Sequence, residues 1–504
     1  MAKCFMPAKR ITSMDVVSLI LNNLVQLIML VDLVLIIALM FWEREDPRSS
    51  MLWVVVLIFL PIVGFFLYLF LGQTFYTERA FKRKAKKDRA QEDEVLTRVE
   101  EDEQARVAAE RAAHPERAEK LRIVNNMIGA GAGLYTDANE VRFLPESQAY
   151  FDSLLRDLAA AEYSINFEYY IIRNDEISHR LMDILIDRAK HGVEVRLMID
   201  AVGNDKGPKK KIKELRAAGG KYSSFHSMAT CLLSPRKNNR NHRKIAVIDG
   251  QITYIGGFNI GDEYLGRGPL GYWRDSAVRV HGPAAVDAQF RFLADWRYAT
   301  GEDLVLEQRF YAFDADLLRV GDESMMLVSG GPDVVSFNPV QVEYYNIIIH
   351  ARRTLFIHTP YLGPDGTLSD ALRNAALAGT DVRIIIPAVG DHPFVYWANR
   401  AEADRLMKYG VRVYEYRKGF VHSKTLVADG YYCSVGSANL DERSVRLNFE
   451  TNALLFSEDI GRQMDAAFLA DLQDCTEYTR AMFASRTLWQ KFRTAVSRLV
   501  APQL

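Results

Sequence analysis

Residues 241–259 read NHRKIAVIDGQITYIGGFN, and residues 421–439 read VHSKTLVADGYYCSVGSAN. Laid over one another they share a His-x-Lys-x4-Asp core, which is His242, Lys244 and Asp249 in the first copy and His422, Lys424 and Asp429 in the second. They also share a tail, Gly256-Gly257-x-Asn259 and Gly436-Ser437-x-Asn439, at the same spacing. A lone His-x-Lys is an ordinary surface pair. Two full copies in a chain with 10 histidines are a repeat. Side chains at i and i+2 of a strand share one face, so each His and its Lys point to the same place. The apolar stretches 245–248 and 425–428 continue a buried strand. The small residues of each tail let the backbone approach closely and leave Asn259 and Asn439 free to donate hydrogen bonds.

The repeat extends upstream. HGVEVRLMIDAVG (191–203) is similar to AGTDVRIIIPAVG (378–390). An amphipathic stretch precedes each, at 177–190 and 369–377, and a strand-like run precedes that, at 163–172 and 354–361. Strand, helix and strand in this order imply parallel sheets flanked by helices. The expected body is therefore α/β, with two similar halves at 126–310 and 311–504.

Two apolar runs open the chain. The second, MLWVVVLIFLPIVGFFLYLFL (51–71), has no charge and meets the roughly 20 residues a helix needs to cross the hydrocarbon core. Its Pro61 and Gly64 are tolerated in such spans. The first, 16–42, also holds Asn22, Asn23, Gln26 and Asp32. An ionisable Asp32 either contacts the neighbouring helix or a headgroup, or serves a function. The run is too long for a cleaved signal peptide. Residues 1–76 are thus expected to form a two-helix transmembrane hairpin. Lys3, Lys9 and Arg10 precede it, and Arg79, Lys82, Arg83, Lys84, Lys86, Lys87 and Arg89 follow it. The connector has only Arg44 and Arg48. This bias puts both ends in the cytoplasm. In the segment 77–125, residues 77–121 are nearly all polar or charged, with many alanines. The segment is expected to form a charged helical linker, solvated and laced with i,i+4 pairs, its basic start able to lie on anionic headgroups.

The formal net charge is -1, without the basic excess by which nucleic-acid binders neutralise phosphates. The cysteines, Cys4, Cys231, Cys433 and Cys475, form no metal-binding spacing and read as reduced thiols. In the tail SRTLWQKFRTAVSRLVAPQL (485–504), Leu488, Trp489, Phe492, Val496 and Leu499 fall on one helical face near Arg486, Lys491, Arg493 and Arg498. That pattern fits an interfacial helix or one packed on the domain.

The paired motif resembles the phospholipase D superfamily. GFNIGDEYLG (257–266), GYWRD (271–275), GFVHSK (419–424) and SANLDERSVRLNFE (437–450), with the two N-terminal spans, resemble the bacterial cardiolipin synthases. The resemblance implies two pseudo-twofold-related phospholipase D-like domains whose motifs meet in one site. It implies reversible phosphatidyl transfer between two phosphatidylglycerol molecules, giving cardiolipin and glycerol through a phosphatidyl-histidine intermediate. Two histidines suffice as nucleophile and proton donor. By analogy with relatives in which the N-terminal motif attacks, His242 is the expected nucleophile and His422 the acid/base; the sequence itself does not order them. Lys244, Lys424, Asn259 and Asn439 are expected to hold the non-bridging oxygens, with no metal or other cofactor. Asp275 and Glu450, each soon after one motif, are the expected partners that fix the histidine tautomers. Asp249 and Asp429 complete the catalytic motif but read as braces for the strand end and the turn at Gly250 or Gly430. Glu168, Tyr169 and Tyr361 either line the pocket or sit in the core. The implied setting is the bacterial inner membrane, multi-pass, with the body facing the cytoplasm, phosphatidylglycerol and cardiolipin as lipid partners, no nucleic acid, and a homo-oligomer left open. The alternatives are transfer to water or to another alcohol, a nuclease, and an inactive scaffold; the intact motifs weigh against the last.

Overall fold

In the computed structural model, which describes residues 13–42, 47–71, 81–91, 118–225, 239–311, 320–333 and 337–500, each motif strand belongs to one half of a doubled sheet. The first half contributes β1 (Tyr135–Leu144), β2 (Ser164–Tyr169), β3 (Glu194–Ile199), β4 (Lys221–Ser224), β5 (Ile245–Ile248), β6 (Ile252–Gly256), β7 (Tyr272–Arg274) and β8 (Ala277–His281). The second contributes β9 (Glu323–Gly330), β10 (Thr354–His358), β11 (Leu362–Gly363), β12 (Asp381–Pro387), β13 (Arg412–Tyr416), β14 (Gly419–Val421), β15 (Thr425–Ala428), β16 (Tyr432–Gly436), β17 (Leu440–Asp441), β18 (Glu450–Phe456) and β19 (Cys475–Tyr478). The main sheet runs β19-β13-β12-β10-β15-β16-β18-β9-β1-β8-β6-β5-β2-β3-β4. Apart from β19 the order is palindromic about the antiparallel β9–β1 pair, where Tyr135 faces Met326 and Thr136 faces Met325. The two halves are thus related by a pseudo-twofold.

The sheet is mixed, which corrects the expectation of parallel sheets. Within the main sheet, parallel pairing is confined to β2-β3-β4 and β10-β12-β13. The motif strands run the other way, β5 antiparallel to β2 and β15 antiparallel to β10. The cause is local. Asp249-Gly250 and Asp429-Gly430 take positive φ at both residues (52° and 67°, 55° and 69°). An Asp-Gly turn of this kind closes a tight hairpin, whereas a parallel neighbour needs a long crossover.

Each motif strand is buried on both faces. Ala246 and Ile248 pack with the helices of the first half, among Phe151, Leu154, Leu181 and Leu185. Ile245 and Val247 join a second layer with Val278, Val280, Val427, Val435 and Leu455, drawn from both halves. Full burial of one such side chain stabilises by about 1.5–3 kcal/mol. This shared layer holds the two motifs against each other.

Where it is described, the charged linker expected at 77–125 has an exposed charged face and a buried one. Residues 81–91 are helical, with Phe81, Lys84 and Asp88 buried. The charges of the buried face turn inward: Lys84 lies 2.6 Å from Asp88, 3.0 Å from Asp295 and 2.9 Å from Asp333. Residues 92–117 lie outside the described residues. The helix Ala118–Gly129 runs past residue 125 and packs Leu121, Val124 and Met127 into the core of the second half.

The N-terminal unit has helices Ser13–Trp42, Pro47–Phe59 and Pro61–Leu71. Pro61 accounts for the break at Leu60, because it lacks the N–H that would continue the ladder. Leu57 and Tyr68 are buried among Leu35, Ile36 and Trp53, and Asp32 is also buried. The first helix has 30 residues, with side chains described over 23–37. Among the described residues no helix is long and apolar enough to cross a membrane. Cys4, Cys231, Lys3, Lys9, Arg10, Arg44 and Arg79 lie outside the described residues.

Candidate active site

Two short contacts between the halves build the site. In the first, β7 pairs in parallel with β14, Val421 beside Arg274. The next residues are therefore His422 and Asp275, side by side. His422 donates its Nδ1 hydrogen to Asp275 Oδ2 at 2.6 Å, and its peptide N–H donates to the Arg274 carbonyl at 2.7 Å. Gly419 makes this pairing possible, since a Cβ there would collide with the Tyr272 backbone. In the second contact Asn241 bridges to Phe449, which brings His242 beside Glu450. His242 donates its Nδ1 hydrogen to Glu450 at 2.9 Å, and its peptide N–H donates to the Phe449 carbonyl at 2.9 Å. Each imidazole is thus oriented by a carboxylate from the opposite half, leaving Nε2 of each ring for chemistry.

The two copies differ in how the carboxylate is held. Ser437 Oγ donates to Glu450 Oε2 at 2.5 Å, and Asn448 Nδ2 donates to Oε1 at 3.2 Å. At the position matching Ser437, Gly257 leaves room for the shorter Asp275, because a Cβ would run into that carboxylate. A second difference lies five residues beyond each motif asparagine. Tyr264 places its hydroxyl 3.2 Å from His422 Nδ1 and receives a hydrogen bond from Asn259 Nδ2 at 3.3 Å. Asn259 Oδ1 accepts from the Ile171 N–H at 3.2 Å, which fixes the amide. Its counterpart Ser444 is too short to cross, and accepts from the Asn439 N–H at 3.1 Å. Asn439 is buried, and its Oδ1 has no partner among the described residues.

Lys244 and Lys424 are buried, each donating to the carbonyl of its own motif histidine, Lys244 at 2.7 Å. Burial pushes Lys244 down to about 7 and Lys424 down to about 8, with Lys424 adding to the effect on Lys244. Burial also lowers His242 to about 4, Glu450 opposing and both lysines reinforcing. It takes His422 well below its ordinary value, with Lys424, Lys244 and His242 adding to it. Asp275 is pushed up by burial to about 7. For Glu450 burial acts upward, but His242 and Lys244 hold the carboxyl below its usual range. Four basic groups crowded and desolvated together form a site whose cationic pressure an anion would relieve. Among the described residues no cluster of His, Cys, Asp or Glu is placed to hold a metal ion.

Aromatic rings close the flanks. Tyr170 meets His242 edge-on at 5.0 Å between centroids, and Trp273 lies 5.2 Å from His422. Neither these nor Tyr264 was expected as a site residue, although Tyr264 and Trp273 lie inside GFNIGDEYLG and GYWRD. Of the three residues read as pocket or core, Tyr169 belongs to the core, stacked on Phe167 and sharing a 2.5 Å hydrogen bond with Tyr150. The alternation of the strand turns its neighbour Tyr170 to the site instead. Glu168 is buried, accepts from Asn241 Nδ2, and is raised by burial to about 8. Tyr361 donates to Asp391. Asp249 and Asp429 are not with the histidines. Asp249 accepts from the N–H groups of Glu162, Tyr163 and Ser164 at 2.9, 2.7 and 2.8 Å. Asp429 does the same for Arg352, Arg353 and Thr354 at 2.8, 2.7 and 2.9 Å. They pin the starts of β2 and β10, about 20 Å along the strand from the imidazoles.

The family described as "Cardiolipin synthase, PLD-like domain" matches residues 154–290 and 344–472, and "Phospholipase_D-nuclease N-terminal" matches residues 25–73. A cardiolipin synthase of Staphylococcus aureus (strain N315) is 37% identical over 492 residues, covering 97% of this chain and 98% of its own length. One from Oceanobacillus iheyensis is 37% identical over 495 residues, covering 97% of this chain and 100% of its own. Among solved structures, the phosphatidylserine synthase of Haemophilus influenzae Rd KW20 superimposes with a TM-score of 0.58 at 17% identity. It covers 77% of this chain and 100% of that one, a likeness of fold.

Proposed function

The chain belongs to the phospholipase D-like cardiolipin synthases, and on that premise we propose that it joins two phosphatidylglycerol molecules into cardiolipin with release of glycerol. It is a phosphatidyl transferase whose two half-reactions run through one histidine-bound intermediate. In the first, the bound phosphodiester anion supports the charged form of His422, Nε2 of His242 attacks phosphorus, the P–O bond to the terminal glycerol breaks, and the His422 imidazolium gives its Nε2 proton to the leaving oxygen. In the second, His422 takes the proton from a hydroxyl of a second phosphatidylglycerol. That oxygen attacks phosphorus, the P–N bond breaks, and His242 is free again. Protons and charge balance over the cycle, and the chemistry is reversible.

The single observation that carries this reading is the crossed pairing of His242 with Glu450 and His422 with Asp275 around two buried lysines. Two oriented imidazoles suit an in-line displacement with a donor and a nucleophile on opposite sides of phosphorus. Lys244 and Lys424 are assigned to the non-bridging oxygens, whose charge must be matched through the transition state. Asn259 and Asn439 are assigned beside them as amide donors. The reading extends to a membrane hairpin over residues 1–76, with both ends and the catalytic body on the cytoplasmic side, supported by the apolar runs and the lysine and arginine bias of the sequence.

The test is to supply the purified full chain with phosphatidylglycerol and resolve the lipids. Cardiolipin and glycerol are the expected products. Phosphatidic acid without cardiolipin would overturn the synthase reading in favour of transfer to water.

A further inference from the structure

The C-terminal helix Leu488–Val500 is seated with its apolar side outward. Leu488, Trp489 and Phe492 are 86%, 59% and 57% exposed, while Thr494 and Ser497 are buried. It packs on the helix Pro393–Met407. Buried Arg486 fastens its start, donating to Thr494 Oγ1 at 3.2 Å and to the Tyr478 hydroxyl. A helix that only completes a domain turns its aromatic side inward. This one holds Trp489 and Phe492 stacked at 5.4 Å in the open.

The charges define what covers that face. At about 100° per residue, Leu488, Phe492, Val496 and Trp489 form one wedge. Arg493 borders it on one side, its guanidinium 5.2 Å from the Trp489 ring. Lys491 and Arg498 border it on the other, and all three cations are exposed. The helix carries no acidic residue. A second copy docking on the same face would set these cations against their equivalents. An anionic bilayer accepts both features, taking the aromatic wedge below the headgroups while the flanking cations reach the phosphates.

We infer that the Leu488–Val500 helix is a docking surface for an anionic lipid bilayer, a membrane contact separate from the N-terminal hairpin. It rests on the lipid-transferase reading only in the choice of phosphatidylglycerol as the anionic lipid. The test reconstitutes the full chain into vesicles with brominated acyl chains, made of phosphatidylcholine alone or of equal parts phosphatidylcholine and phosphatidylglycerol. The readout is the difference in tryptophan emission between wild type and Trp489→Phe. The expected Trp489 signal is blue-shifted and quenched in the anionic vesicles, and both effects weaken severalfold in phosphatidylcholine or at high salt. An unquenched signal in both vesicles overturns the inference. Equal quenching in both overturns the anionic part of it. Disulfide-linked dimers of Trp489→Cys, with the signal unquenched, assign the face to a second copy. Transfer activity of the same preparations in detergent micelles reports the proposed reaction separately, so the two readings fail independently.

Discussion

His242 and Glu450 lie 208 positions apart in the chain and 2.9 Å apart in space. His422 and Asp275 repeat the relationship at a separation of 147 positions and 2.6 Å. In both pairs a peptide hydrogen bond between the halves, to Phe449 or to Arg274, sets the carboxylate before the side chains meet. The orienting group of each half is therefore aimed at the other half.

Glu450→Gln keeps the shape of the pair but removes the charge that orients and stabilises the His242 ring. The expected loss in kcat is on the order of 10³-fold with little change in KM. Initial rates of cardiolipin formation in mixed micelles measure it. A loss confined to KM would place Glu450 in lipid binding instead.

The order of the two histidines is open to a trapping experiment. With a phosphatidyl donor bearing an activated phenolate leaving group, departure no longer needs an acid. His422→Ala should then accumulate phosphatidyl-enzyme, and His242→Ala should not. Denaturing gels with a radiolabelled donor read the adduct, and the reverse pattern exchanges the two roles.

Tyr264 is a positioning residue in this geometry, since its hydroxyl faces His422 Nδ1 and not the vacant ring nitrogen. Tyr264→Phe keeps the edge contact with Trp273 at 5.5 Å and removes only the oxygen. About tenfold lower kcat is expected, with a shifted acid limb of the pH–rate profile. An unshifted limb with reduced thermal stability would make the hydroxyl merely structural.

Burial gives Lys244 a folded pKa of about 7 against an ordinary 10.5. Between those values the unfolded chain binds more protons than the folded one, so this group makes stability rise with pH across that window, and its penalty is complete below it. Lys244→Met should abolish transfer yet raise the melting temperature. The gain should be largest at about pH 6 and fade toward about pH 10. Melting curves across that range decide, and a pH-independent gain would trace to packing alone.

Asp249→Ala removes the acceptor of three backbone N–H groups at the start of β2 and puts alanine at a φ of 52°. A destabilisation of about 2–4 kcal/mol is expected, with the pH–rate profile of the surviving enzyme unchanged. Chemical denaturation and rate measurements on the same samples test both halves of that statement.

The doubled architecture and the motif residues were legible because they rest on short-range pattern. His-x-Lys on one strand face, Asp-Gly at a hairpin and repeated strand-helix-strand units need no knowledge of distant contacts. The cross-pairing of Asp275 and Glu450 was not legible, since nothing near either motif records which half a carboxylate faces. Tyr169 and Tyr170 show the same limit at closer range. They are adjacent tyrosines, and only the phase of β2 sends one to the core and the other to His242. Lys84 misled through composition. A charged stretch reads as solvated unless its counter-charges are known to wait inside the body, and Asp295 and Asp333 lie more than 200 positions downstream.

Lys84 has a practical consequence for dissecting the molecule. A water-soluble fragment cut to begin after residue 91 would leave Asp295 and Asp333 buried without their shared cation, and removing one partner of a buried pair typically costs about 3–5 kcal/mol. Asp295 is also the partner of Arg243, between His242 and Lys244. Such a fragment would be misassembled at its catalytic end, and its silence in an assay would say nothing about whether the reaction needs a membrane. The first residue of a useful truncation therefore lies upstream of Phe81.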